Sequence, residues 1–230
     1  VERAPRGKGQ LREGLRYVAG RPDLLWPIVL VGFMGTFAFN FPVYLSAFAD
    51  DVFHGDAGVY SLFNTLMAVG SVSGALLAAR RGTARLRLLI TAAVAFGALE
   101  ILAAASPELW MFALIMVPLG LVSMTVNVTT NTSLQMSTDP AVRGRVMALY
   151  MMVFLGGAPV GAPIVGWVTD TYGARVGFAA GGAIAMTAAA VIGLVLARAG
   201  GLRLAVGWHR GHPVVRFVPR DHPKALAPAA

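Results

Sequence analysis

Long apolar runs separated by short polar turns fill most of the chain. Six of them are long enough to cross a bilayer, at 24–49, 58–79, 88–106, 109–136, 146–169 and 176–197. The hydrocarbon core is about 30 Å thick and a helix rises about 1.5 Å per residue, so about 20 apolar residues suffice. The two-residue alternation of a membrane barrel is absent, so helices must satisfy the backbone within lipid. The pattern predicts an all-α membrane protein with six transmembrane helices. Residues 1–23 read as a linker, with an amphipathic helix over Gln10–Ala19 that lies against the membrane with Leu11, Leu15 and Val18 on one face. Residues 200–230 read as a basic, unstructured tail.

Composition agrees. Hydrophobic residues make up 57% of 230 and charged residues 13%, about half the charged share of a soluble domain. Mean hydropathy is +0.68. A net charge of +8 would suggest nucleic acid in a soluble protein, but its placement argues otherwise. All lysines and arginines except Arg175 fall in the first 25 residues, in 80–87, at Arg143 and Arg145, or after residue 197. The intervening turns hold Asp50, Asp51, Asp56, Glu108 and Asp170. The positive-inside rule then expects both termini and the 80–87 and 137–145 turns in the cytoplasm, with no nucleic-acid partner. Arginine far outnumbers lysine and alanine is abundant. Together these lead to an expected location in a bacterial plasma membrane.

Polar residues inside the spans mark where solute would pass, because an amide in lipid must face protein or water. The first span carries Phe37, Asn40 and Tyr44 at helical spacing, with Pro27 and Pro42 permitting bends. The fourth carries Ser123, Asn127 and Asn131 four residues apart. These six are the candidates for lining a cavity, and helix packing is the competing reading for each. Glu100 is the one ionisable residue deep in a span and the candidate for proton coupling. Its alternative is snorkelling, since the helix end near Ser106 is close. The turn Ser137–Arg145 and the glycine- and proline-rich span after it supply the conformational candidates Asp139, Arg143, Arg145, Gly157, Pro159 and Gly161.

Other chemistries lack their signatures. The chain has no cysteine, and His209, His212 and His222 lack carboxylate or thiol partners, so neither a metal site nor a cofactor is expected. No zinc-protease, serine-hydrolase or phosphate-loop pattern occurs, and an enzyme is not expected. A shift of 91 residues maps Asn40 onto Asn131, Phe63 onto Phe154, Gly70 onto Gly161 and Gly82 onto Gly173. It pairs spans one to three with spans four to six, and an odd number of spans per repeat inverts the second copy.

The run Glu13-Gly14-Leu15-Arg16-Tyr17-Val18 before the first span, and Asp139-Pro140-Ala141-Val142-Arg143-Gly144-Arg145-Val146 before the fifth, resemble the second half of major facilitator superfamily exporters. The branch they look most like is the enterobactin-exporter-like and macrolide-efflux-like group, over roughly residues 10–200. The family's cytoplasmic Gly-x-x-x-Asp-x-x-Gly-Arg pattern is degenerate at Gly74 to Gly82, where Ala78 replaces its Asp; an echo runs from Gly166 to Arg175. The resemblance implies one bundle of two inverted three-helix repeats, with the first and fourth helices lining a cavity. It also implies alternating access against an N-terminal six-helix bundle, on the same or a separate chain. The expected partners are thus that bundle, the lipid bilayer and a small amphipathic solute. A siderophore or drug exporter, proton-coupled and inactive as this half alone, is the expected function. A non-transporting membrane scaffold is the rival. The membrane domain of an ATP-driven transporter is the weaker one, because the internal turns are only about ten residues long.

Overall fold

The computed structural model describes residues 10–81, 86–199, 202–209 and 212–219. Helix α1 (Gln10–Ala19) precedes a first span, Pro22–Val52, composed of α2 (Pro22–Phe33), a π-helical turn Met34–Ala38, α3 (Phe41–Ala47) and a second π-helical turn Phe48–Val52. The other spans are α4 (Ala57–Arg81), α5 (Leu86–Ala104), α6 (Leu109–Ser137), α7 (Arg143–Tyr172) and α8 (Ala174–Ala199). All six are long and apolar enough to cross a membrane. The spans form an all-α, six-helix bundle of a multi-pass membrane protein, and their even number returns α1 and the residues after α8 to the same side. One expectation fails after α8. The predicted structureless tail instead contains antiparallel strands β1 (Leu202–His209) and β2 (His212–Pro219). Their sequences, LRLAVGWH and HPVVRFVP, are rich in the branched and aromatic residues that favour extended pairing. Residues 220–230 lie outside the described ones.

The spans pack across the two halves. The second lies on the fourth, the fifth on the first, and the third on the sixth. Without a hydrophobic drive between helices in lipid, small residues decide such seams by letting backbones approach. Gly70 of α4 abuts the backbone of α6 at Val117, and Gly161 of α7 abuts the first span at Thr36. A Cβ at either site would overlap the facing carbonyl. The 91-residue shift superposes these two glycines, so the repeat places glycine at two of the cross-half seams.

The two ends of the bundle are held differently. At the end away from α1, Phe48, Phe53, Phe63, Phe112 and Phe178 interlock, drawing together the first, second, fourth and sixth spans. Phe48 stacks on Phe112 at 4.3 Å, and Phe63 meets Phe112 at 4.7 Å. Here the aromatic stripe of the first span serves packing. At the same end Arg175 donates to the Ala104 and Ser106 carbonyls, at 2.8 and 2.5 Å. It caps the C-terminus of α5, where a cation also suits the helix dipole. That capping explains the single arginine among acidic turns.

At the other end α1 is bolted to the turn between α6 and α7. Arg145 pairs with Glu13 at 2.8 Å, and the Tyr17 hydroxyl donates to Asp139 at 2.8 Å. Arg21 donates to the Tyr17 hydroxyl and pairs with Asp23, both at 2.9 Å. The bonds to Asp23 and then Tyr17 push the Arg21 guanidinium above its ordinary range, so it stays charged. Gly14 and Val18 turn to the bundle, whereas Leu15 is 54% exposed, on the side left open to the membrane surface. The Leu11 side chain lies outside the described ones.

Candidate functional site

Pro42 decides the local structure of the first span. It carries no N–H and clashes with the preceding turn, so the helix cannot run through it. The chain slackens into the π turn Met34–Ala38, breaks at Phe39–Asn40, and restarts at Phe41 with Pro42 in its first turn. The break frees carbonyls, and two side chains take them. Asn40 Nδ2 donates to Thr36 O and the Tyr44 hydroxyl to Phe37 O, each at 2.6 Å. Asn40 and Tyr44 are therefore buried within the bundle. Phe37 stays half-buried and stacks on Phe33 with ring centroids 6.5 Å apart.

The fourth span behaves differently. Ser123, Asn127 and Asn131 form a half-buried stripe, while Thr125, Thr129 and Thr130 turn to the core. Asn131 accepts from Gln135 Nε2 and lies beside the Tyr150 hydroxyl of the fifth span. Tyr150 stacks on Phe154 at 5.9 Å, and Phe154 meets Phe39 beside the break at 6.0 Å. The structure thus brings the amide stripe to the first-span break through two aromatic rings. Sequence reasoning missed Tyr150. Its signal was a polar-tipped ring in an otherwise apolar segment, one helical turn before Phe154.

Glu100 does not snorkel. It is fully buried, and neither carboxyl oxygen has a hydrogen-bond partner. It lies at the seam of α5 and α8, where Gly97 and Gly182 let the two backbones meet. A carboxylate that no protein donor meets is costly there, and the arrangement suits the neutral acid. Thr130 and Thr169 also bury hydroxyls without a partner.

Of the conformational candidates, Asp139 and Arg145 hold α1, and Arg143 donates to the Thr138 carbonyl at 3.4 Å. Gly157 and Gly161 form the seam with the first span, and Pro159 is exposed between them. Among the described residues no cluster of three or more acidic or histidine side chains could hold a metal ion. Gly82 lies outside the described residues, so the degenerate motif from Gly74 is seen only in its helical part.

The bundle thus combines a buried seam of small residues, a span broken at an amide and a half-exposed polar stripe. A family model described as transmembrane secretion effector matches residues 4–201. Comparison with functionally described proteins and with solved structures gave no match. The chain belongs to the transmembrane secretion effector family of the major facilitator superfamily, a family of membrane transporters.

Proposed function

We propose that this chain is the C-terminal half of a small-molecule exporter, of the siderophore or drug type, that works by alternating access in a bacterial plasma membrane. The observation that carries the reading is the stripe of Ser123, Asn127 and Asn131, polar and half-exposed along one face of a transmembrane helix. Amides kept at that depth without being packed away are suited to exchanging hydrogen bonds with a passing amphipathic solute. Phe37 adds an apolar, partly open ring beside them. Glu100 holds the coupling proton, and both termini face the cytoplasm, where the basic turns lie. An N-terminal bundle of six helices closes the other side of the pathway, and this half alone is inactive.

The test is proteoliposome efflux with the two halves together, using a macrolide and a catecholate siderophore as probes under an imposed pH gradient. Efflux that needs both halves and falls at least about tenfold in Asn127→Ala is expected, since losing a solute hydrogen bond of about 1.4 kcal/mol is a tenfold effect. Unchanged efflux in Asn127→Ala and Asn131→Ala would make the amides packing elements, and transport by this chain alone would refute the half-transporter assignment. Assembly of the two halves with no flux of either probe would favour a scaffold.

A further inference from the structure

Two groups with different tasks pack against adjacent glycines of the sixth span. A Cβ placed on Gly181 would stand 2.7 Å from the Tyr44 hydroxyl and 3.0 Å from the Phe37 carbonyl oxygen. One placed on Gly182 would stand 2.8 Å from the Glu100 Cβ. Two adjacent glycines of the sixth span thus make room for these groups, Gly181 for the Tyr44 hydroxyl and the Phe37 carbonyl and Gly182 for Glu100. Tyr44 has one hydroxyl proton and gives it to Phe37, while both Glu100 oxygens stay unpartnered. A neutral acid tolerates that arrangement. A carboxylate does not, because a buried anion must find a donor.

We propose that Tyr44 reads the charge of Glu100. With Glu100 protonated, the hydroxyl donates to Phe37 O and closes the gap in the broken span. When the bundle opens and the Glu100 proton leaves to water, the hydroxyl turns to the carboxylate. That releases Phe37 O and frees the joint at Asn40 and Pro42 to move. Tyr44 is a positioning residue that converts a proton at the third span into backbone freedom in the first. Among the described residues, the titratable groups of the neighbouring spans are placed elsewhere. The fourth span carries no titratable residue, Arg175 is committed to the Ala104 and Ser106 carbonyls, and Asp23, Asp50 and Asp51 lie towards the ends of the first span. The switch rests on the reading of Glu100 as the coupling site.

The experiment is an acid-minus-alkaline infrared difference spectrum of the full chain in lipid nanodiscs, with far-ultraviolet circular dichroism to confirm folding. The wild type is expected to lose a protonated-carboxyl band on alkalinisation together with a shift of one tyrosine C–O band. Glu100→Gln should lose both signals, whereas Tyr44→Phe should keep the carboxyl change and lose the tyrosine one. Gly181→Ala, which crowds the hydroxyl but keeps it, should also lose the tyrosine shift and serves if Tyr44→Phe does not fold. A tyrosine shift that survives in the Tyr44→Phe variant overturns the switch while leaving Glu100 as the proton site. A carboxyl band that survives in Glu100→Gln, or signals that follow sodium at constant pH, overturns the proton-site reading itself.

Discussion

Gly161 offers the sharpest test of how the bundle is held. A Cβ there would stand 2.6 Å from the Thr36 carbonyl carbon and 3.0 Å from its Cα, and would overlap the carbonyl oxygen. Comfortable contact between carbon atoms needs about 3.5–4.0 Å, so Gly161→Ala must part the first and fifth spans by about 1 Å. The obstacle is backbone, which cannot rotate aside. Because Gly157 shares the seam, the opening spreads along it. Overpacking of this kind costs about 1–3 kcal/mol.

Gly156 is the internal control. It lies on the same helix, exposed, with nothing within 4 Å of its would-be Cβ. Gly156→Ala should therefore gain up to about 1 kcal/mol from helix propensity alone. The two substitutions are chemically identical and share the propensity gain, so their stabilities should differ by the overpacking cost, about 1–3 kcal/mol, with Gly161→Ala the less stable. Unfolding of the chain in mixed micelles by a denaturing detergent, followed by circular dichroism, measures both. If Gly161→Ala is as stable as Gly156→Ala, the close packing of the two backbones is wrong.

Three further outcomes follow from contacts already described. Arg175→Met strips two carbonyls of their cap and should cost about 2–3 kcal/mol, seen as faster hydrogen exchange where α5 ends; exchange equal to wild type would remove the capping role. Tyr17→Phe deletes the bond to Asp139 and the acceptor of Arg21, so trypsin should cut at Arg16 several-fold faster. Glu13→Gln should have a smaller effect that fades with salt, because that pair is largely exposed; equal cleavage in both variants would contradict the clamp. Phe112→Ala empties the centre of the aromatic cluster. It should cost about 3 kcal/mol, the low end for such a cavity, because lipid is as apolar as the core it replaces; a loss below 1 kcal/mol would mean the cluster repacks.

The spans were legible because their signal is length and composition, which need no partner. The predicted third span, 88–106, and the observed Leu86–Ala104 differ only at their ends. The break in the first span was half-legible. Pro42 announces a disturbance, but whether the chain bends, bulges into π turns or stops depends on who takes the freed carbonyls. Arg175 could not be read correctly at all. In sequence it violates the charge pattern, and only the fold shows the helix end at Ala104 that it caps. The helix α1 was legible from its pattern, but the bonds of Glu13 and Tyr17 that fix its rotation depend on partners more than 120 residues away and were not.

The candidate site divides along a physical line that also explains what sequence alone could not separate. An amide or hydroxyl in a membrane span has two uses: to meet a solute, or to satisfy backbone that the helix has abandoned. Both demand the same residue types at the same depth. Asn40 and Tyr44 flank Pro42, where carbonyls go begging, and they are spent on Thr36 and Phe37. Ser123, Asn127 and Asn131 lie along a helix that stays continuous past Pro118, so the ladder there needs no repair and the stripe remains half-exposed. An amide can also bond its own unbroken helix, as Asn64 does at Tyr60 O, so it is half-exposure together with distance from a broken turn that supports the proposed solute role of the stripe.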